Sequence, residues 1–262
     1  MSDRPQHISL NTDIGESFGA WTMADDDALL ATVTDANIAC GFHAGDPSTM
    51  RRTCETAAAN GVSIGAHVAF HDLRGFGRRY MALPRQQLLE DLLYQIGALA
   101  GFARVAGSEV RYVKPHGALY HSAVAHDEHA AAVVDSIRQF DQNLSLLCQP
   151  GTKLARHATE AGLTVLREGF IDRSYTADGT LLPRGEPGAV IKDPAAAVEQ
   201  AVALVATGAV TTVDGTTIPM PVDSLCIHSD SPGATAFAVK TRSALETAGV
   251  VLAPLTEIKG IR

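Results

Sequence analysis

Short apolar runs alternate along the chain with longer segments of helical periodicity. The seven runs are Ile8–Leu10, Ala36–Cys40, Val62–Ala66, Arg111–Lys114, Leu144–Cys148, Leu163–Arg167 and Ser224–His228. We interpret each run as a strand. Alternation of strands and helices from one end of the chain to the other favours a parallel sheet with crossover helices.

Start and stop signals support the helices between these runs. Helical patterns preceded by proline extend over Ser48–Asn60, Arg85–Ala106 and Ala195–Thr207. Glycines that suit helix C-termini follow at Gly61, Gly107, Gly162 and Gly208. No linker rich in serine, glycine or charge interrupts the pattern, so residues 1–262 are expected to form a single domain.

Polar residues that suit an active site follow six of the seven runs. They are Asn11, Asp13, Glu16, His43, Asp46, His67, His116, Glu168, Asp172, Arg173, His228 and Asp230. The carboxyl ends of strands meet at one mouth in a closed barrel, whereas in an open sheet they spread along an edge. The sequence therefore predicts a closed (β/α) barrel with the active site at its mouth.

The composition of the chain limits the kinds of molecule that the protein is expected to bind and its expected location in the cell. With 46% hydrophobic and 19% charged residues the chain can bury a large core, and a net charge of −8 offers no general attraction to nucleic acid or anionic lipid. Met1–Leu10 has no apolar signal-peptide core and no long apolar stretch follows, so we expect a cytoplasmic protein. The four cysteines are far apart and are expected to be buried thiols.

Two acidic and histidine motifs follow the first two strands. In Asn11-Thr12-Asp13-Ile14-Gly15-Glu16, Gly15 allows a turn that aims both carboxylates inward, where one could act as a base; alternatively Asp13 caps a turn and Glu16 is solvated. In Gly41-Phe42-His43-Ala44-Gly45-Asp46, the glycines let the backbone approach a ligand beside His43, while Asp46 caps the next helix.

Further histidines and a lysine end the third and fourth strands. His67 and His116 join His43 and an acid, which permits either divalent metal ligation or metal-free acid and base catalysis. The spacing does not choose between these, and the candidate metal set is Asp13, His43 and His116. Lys114, if it faces the mouth, could bind an anionic group or a developing oxyanion.

Basic residues occur in two loops. Arg78 and Arg79 could clamp a carboxylate or phosphate, or lie in a surface turn. Arg173 opens a long segment after the sixth strand, of the kind that forms binding loops or lids. The chain has no Walker A motif, Gly-x-Gly-x-x-Gly motif or Gly-x-Ser-x-Gly elbow, so a bound nucleotide would need an unconventional site or a partner chain.

Taken together and in this order, six motifs resemble the LamB/YcsF family. They are Asn11–Glu16, Ala36–Asp46, Gly75–Arg79, Val113–Tyr120, Asp172–Gly179 and His228-Ser229-Asp230-Ser231-Pro232-Gly233. The resemblance implies an irregular seven-stranded TIM-like barrel, similar to glycoside hydrolases and carbohydrate deacetylases. The chain departs from the family pattern at Thr12, in the Val68–Asp72 stretch and at Ser229, which affects local loop shape.

The family supplies the A component of bacterial 5-oxoprolinase. The resemblance therefore implies ATP-dependent hydrolysis of 5-oxo-L-proline, a lactam, to L-glutamate, together with 5-oxoprolinase subunits B and C, with ATP bound here or by those partners. The catalytic candidates carried over are Asp13, Glu16, His43, His67, Lys114 and His116. The substrate-binding candidates are Asn11, Asp46, Arg78, Arg79, Arg173 and His228.

Two other functions remain open at this point. One is a stand-alone metal-dependent deacetylase or amidase, because related barrels use an aspartate and two histidines around a divalent cation. The other is a non-catalytic component that binds a carbohydrate or lactam and regulates a partner. Homo-oligomers are compatible with all three functions.

Overall fold

The computed structural model describes residues 7–230 and 233–258. Its strands are β1 His7–Ile14, β2 Asp35–Ala39, β3 Ser63–Val68, β4 Val110–Pro115, β5 Ser145–Cys148, β6 Val165–Phe170, β7 Ala209–Thr211, β8 Thr217–Pro219, β9 Ser224–Ile227 and β10 Val251–Leu252. Its helices are α1 Asp26–Leu30, α2 Pro47–Ala59, α3 Arg85–Val105, α4 Gly117–Ala125, α5 Asp127–Phe140, α6 Lys153–Glu160, α7 Pro194–Thr207 and α8 Ala234–Thr247.

Seven parallel strands close into a barrel in the order β1, β2, β3, β4, β5, β6 and β9. The barrel closes because β9 pairs with β1, where Leu225 lies opposite Leu10. All seven predicted runs form these strands, so the prediction of a closed TIM-like barrel is confirmed. The antiparallel hairpin of β7 and β8, and the short β10 beside the start of β1, were not predicted.

Local sequence signals explain where the helices begin and end. The Asp46 carboxylate accepts hydrogen bonds from the backbone N–H groups of Ser48 and Thr49, and so caps α2 as predicted. Gly208 ends α7 in the left-handed conformation, with φ of 63°.

The strand β1 separates an apolar exterior from a polar interior. Ile8, Leu10 and Ile14 are fully buried and belong to the apolar core. The intervening Ser9 and Asn11 instead make hydrogen bonds to the Ser224 hydroxyl on the neighbouring strand β9. Because side chains alternate between the two faces of a strand, this register also places Asp13 inside, at the carboxyl end.

All four cysteines are buried free thiols, as predicted. Among the described residues, none of the helices combines the length and apolar character needed to cross a bilayer.

Candidate active site

Asp13 ends β1 at the barrel mouth, where its carboxylate is surrounded by donors. Oδ1 accepts hydrogen bonds from Lys114 Nζ at 2.8 Å and from Asn37 Nδ2 at 2.8 Å, and Oδ2 lies 3.2 Å from His67 Nε2. Burial raises the pKa of Asp13, but His67 and Lys114 outweigh that effect and hold the pKa well below 3.8. Asp13 is therefore a carboxylate ion at neutral pH.

Lys114, in β4, faces the barrel interior and is only 2% exposed. Its ammonium lies 2.8 Å from Asp13 Oδ1, 2.8 Å from Glu168 Oε1 and 3.1 Å from Cys226 Sγ. Burial lowers the pKa of Lys114, yet the surrounding acidic groups raise it well above 10.5. Two carboxylates already neutralise this ammonium, so it stabilises the acidic cluster and has little charge left for an anionic substrate.

The rings of His67 and His116 are neighbours. In each ring one nitrogen points to the other histidine, and the second, outer nitrogen is hydrogen-bonded to a backbone carbonyl. His67 Nδ1 donates to the Lys114 carbonyl at 3.0 Å, and His116 Nε2 donates to the Phe76 carbonyl at 2.8 Å, because a carbonyl can only accept. The inner nitrogens, His67 Nε2 and His116 Nδ1, are 3.0 Å apart. The pair must share a proton or offer two lone pairs to a cation.

Glu16 and His43 form the remaining part of this cluster. His43 Nε2 lies 3.0 Å from Glu16 Oε1, and the His43 ring stacks on His116 with centroids 3.8 Å apart. Burial, assisted by the charge of Asp13, raises the pKa of Glu16 to about 8. Burial also lowers the pKa of His43 and of His116 well below 6.5. Glu16 thus holds a proton at neutral pH beside an ionised Asp13.

Glycine at position 77 allows the third-strand loop to close over the histidines. Gly77 has φ of 65°, and a Cβ atom there would lie 2.7 Å from His116 Cδ2 and 2.8 Å from His43 Cβ. The backbone can approach the two rings only without a side chain. This close approach brings the Phe76 carbonyl onto His116 and shields the cluster from solvent.

A pocket opens between this cluster and a basic wall. Asp13, Glu16, His67, Lys114 and His116 form part of its lining. The rest of the lining, called here the basic wall, includes Arg78, His121, Phe170, Arg173, Arg184, His228 and Asp230. The pocket thus combines acids and histidines with three arginines.

Two ion pairs fix parts of the basic wall. His228 Nδ1 lies 2.8 Å from Asp172 Oδ2, and Arg78 pairs with Asp230. Burial raises the pKa of Asp172, but His228 and nearby arginines lower it below 3.8 overall. Ser231 and Pro232, which belong to the late sequence motif, lie outside the described residues.

The structure does not bring every candidate residue to the pocket. Arg79 pairs with Asp72, and its side chain is 64% exposed. Asp46 is occupied as the helix cap and also accepts from Gly19 N–H at 2.7 Å. Asn11 lies one pleat below Asp13 within the barrel, and His43 is fully buried behind Glu16. These four stay predictions as substrate or catalytic residues.

Glu168, which the sequence placed among the polar residues at the mouth, and Tyr120 were not among the predicted catalytic or substrate-binding residues. Glu168 is fully buried, pairs with Lys114 and accepts a hydrogen bond from Tyr120 Oη at 3.1 Å. The signal for Glu168 was an acid inside an apolar strand, and Tyr120 lies four residues after His116 on α4. Glu168 on β6 contacts Lys114 on β4 and Tyr120 on α4 only because the barrel brings these three elements together.

Four side chains fit a divalent cation. One ligand atom each from Glu16, His43, His67 and His116 lies within 4.8 Å of the others. The outer nitrogens of His67 and His116 donate to backbone carbonyls, as those of metal-bound histidines commonly do, and His43 Nδ1 has no partner among the described residues. His43 and His116 of the predicted metal set belong to this group, whereas Asp13 lies in a second group with Cys226 and His228; the predicted set of Asp13, His43 and His116 stays a prediction.

Comparison with known proteins gives consistent matches. Residues 8–260 match the LamB/YcsF family. The A component of 5-oxoprolinase from Streptomyces griseus subsp. griseus is 56% identical over 243 residues, covering 93% of this chain and 97% of that protein. A lactam utilization protein from Thermus thermophilus is 43% identical, with a TM-score of 0.90 over 95% of this chain and 99% of that chain.

A more distant match bears on the fold alone. A peptidoglycan deacetylase from Bacillus subtilis is 10% identical, with a TM-score of 0.50 over 100% of this chain and 93% of that chain. The barrel is therefore deacetylase-like, as predicted, whereas identity this low says nothing about the reaction.

Proposed function

Because the chain belongs to the LamB/YcsF family, we propose that it is the A component of an ATP-dependent 5-oxoprolinase. In this role it hydrolyses the lactam of 5-oxo-L-proline to L-glutamate. The observation that carries the proposal is the buried cluster at the mouth, where Asp13, Glu16, His67 and His116 line one pocket and Asp13 Oδ2 lies 3.2 Å from His67 Nε2; burial there raises the pKa of Glu16, while His67 and Lys114 lower that of Asp13. Paired titratable groups with divergent pKa values are typical of acid and base catalysis.

ATP makes the hydrolysis favourable because an unstrained five-membered lactam is a stable amide. Transfer of the terminal phosphoryl group of ATP to the amide oxygen makes the ring carbonyl carbon a better electrophile. The described residues contain no phosphate loop, so we assign the phosphoryl transfer to a complex with subunits B and C. This chain supplies the hydrolytic site.

The residues of the cluster then have distinct roles. Water adds to the activated carbon and gives a proton to the His67–His116 pair, whose facing nitrogens are 3.0 Å apart. Asp13 Oδ2, 3.2 Å from His67 Nε2, stabilises the charge that forms. Glu16 donates its proton to the ring nitrogen as the carbon–nitrogen bond breaks. A second water hydrolyses the resulting acyl phosphate to glutamate and phosphate.

A divalent cation fits the same cluster. Glu16, His43, His67 and His116 would hold it, and it would supply Lewis-acid polarisation. With or without the cation, the contact between Asp13 and Lys114 holds the acidic side chains of the pocket in place.

The test is an assay of the purified chain with 5-oxo-L-proline and ATP, alone and mixed with subunits B and C. We expect glutamate and ADP in equal amounts from the mixture only. His116→Ala should lower turnover in the mixture by about 10²- to 10⁴-fold, the usual contribution of acid and base groups. His157→Ala, at a partly exposed helix position, is the matched control.

Two results would contradict the proposal. Unchanged oxoproline turnover by both Asp13→Asn and His116→Ala would remove the cluster from the reaction. Release of acetate from acetylated sugars by the chain alone, without ATP, would instead support a deacetylase.

A further inference from the structure

Arg173 is a buried cation without a carboxylate partner. It is 2% exposed, and its guanidinium donates from Nε to the Ala189 carbonyl at 3.2 Å and from Nη2 to the Leu182 carbonyl at 2.6 Å. Within 7–230 and 233–258 no carboxylate oxygen lies within 4.0 Å of it. Neutral carbonyls satisfy some of its donors, and Asp172, the largest source of negative charge acting on it, already pairs with His228.

Arg184 is a second cation on the same wall. It is half-buried and lines the pocket together with Arg173. In the described part of the chain its guanidinium forms neither an ion pair nor a hydrogen bond. Burial and the charge of Arg184 lower the pKa of Arg173 to about 10, which is consistent with the place of both residues in the lining of one pocket.

Several other charged groups in and beside the pocket have a partner of their own. Lys114 lies between two carboxylates, Arg78 pairs with Asp230, and Asp172 pairs with His228. Two unpaired cations on one wall of a pocket are unfavourable unless an anion joins them. Guanidinium groups match the geometry of a carboxylate through two parallel hydrogen bonds.

The loop that carries Arg184 is held in place before any ligand binds. Leu182 N–H donates to the Ser174 carbonyl at 2.9 Å, and Ser174 N–H donates to the Ala189 carbonyl at 3.1 Å. The Ser174 hydroxyl donates to the Gly188 carbonyl at 2.7 Å, beside the two bonds from Arg173. A loop fixed in this way loses little conformational freedom on binding.

We propose that Arg173 and Arg184 form a subsite for the carboxylate of the substrate, and that this subsite makes the enzyme selective for lactam acids over neutral lactams. Arg184 contacts the carboxylate, and Arg173 adds charge and holds the loop. The lactam ring then lies between this wall and the cluster of Asp13, Glu16 and His116. The inference rests on the proposed function, because it concerns the substrate of that same pocket.

The test compares two substrates in the complete three-component enzyme. 5-Oxo-L-proline has the carboxylate, and 5-oxo-L-prolinamide has the same shape without the charge. Arg184→Gln should raise KM for 5-oxo-L-proline by about 10- to 100-fold, the usual size for a lost hydrogen bond to a charged group. KM for the amide should change less than about threefold, so that the preference for the acid largely disappears.

Controls separate this inference from the proposed function and from misfolding. Arg184→Lys should keep part of the preference, and Arg104→Gln, which removes an exposed arginine on α3, should keep all of it. An equal loss for both substrates, or a rise in KM for ATP alone, would overturn the subsite. If the wild-type mixture turned over no 5-oxo-L-proline, the proposed function itself would fail, whatever the variants did.

Discussion

Glu16 gives a test of the site that needs neither substrate nor partner. In the unfolded chain this carboxyl ionises near its ordinary pKa of 4.5, whereas in the folded protein it keeps its proton up to about pH 8. Between these values the unfolded state binds fewer protons, so the free energy of unfolding falls as pH rises. At about 1.4 kcal/mol per pH unit the total loss is about 5 kcal/mol.

Glu16→Gln stays neutral at every pH and should escape this loss. Urea unfolding at pH 5, 6, 7, 8 and 9 would measure the free energy of unfolding of both proteins. Both are first treated with a chelator, because a bound cation would itself hold the carboxylate ionised. The stability of the variant relative to wild type should increase steadily from pH 5 to 8 and then level off. Glu160→Gln removes an exposed carboxyl and controls for net charge. A relative stability of Glu16→Gln that did not depend on pH would refute the buried, protonated carboxyl.

Three further outcomes are expected. Lys114→Met should destabilise the fold by about 3–5 kcal/mol in urea, because it leaves two buried carboxylates without their cation; a loss below about 1 kcal/mol would contradict the pairing. Gly77→Ala should lower both the oxoproline turnover and the melting temperature. Gly101→Ala, at a helix position with open space around it, should raise the melting temperature slightly. Equal effects of the two substitutions would argue against close packing at the cluster. Cobalt(II) added to chelator-treated protein should bind at one site per chain and give a visible absorption spectrum. His67→Ala should abolish that spectrum, whereas His121→Ala should retain it. The absence of a spectrum in the wild type would exclude this ligand set for cobalt.

Much of the fold could be predicted because the relevant signals are local. Each strand of the barrel contains a short apolar run, and proline and glycine mark the ends of several helices, as Pro47 at the start of α2 and Gly208 at the end of α7 illustrate. Closure of the barrel was also predictable, since polar residues follow six of the seven runs. The hairpin β7–β8 and the strand β10 were missed because each is only two or three residues long.

The candidate site was predictable in its membership more than in its arrangement. Asp13, Glu16, His67, Lys114 and His116 line one pocket, as their positions at strand ends suggested. The grouping of possible metal ligands was not predictable: Glu16 lies with His43, His67 and His116, whereas Asp13 lies with Cys226 and His228. No spacing within one segment carries information on such contacts between strands.

The sequence by itself determined the order of strands and helices, the polar residues at the barrel mouth and the family, because periodicity, capping and motifs reside in neighbouring residues. Only the tertiary structure decided how the charges are matched. It neutralises Lys114 with Asp13 and Glu168, leaves Glu16 protonated beside an ionised Asp13, and, among residues 7–230 and 233–258, pairs neither Arg173 nor Arg184 with a carboxylate. The reason is physical: burial and distance set the pKa and pairing of a charge, and both depend on segments far apart in the chain.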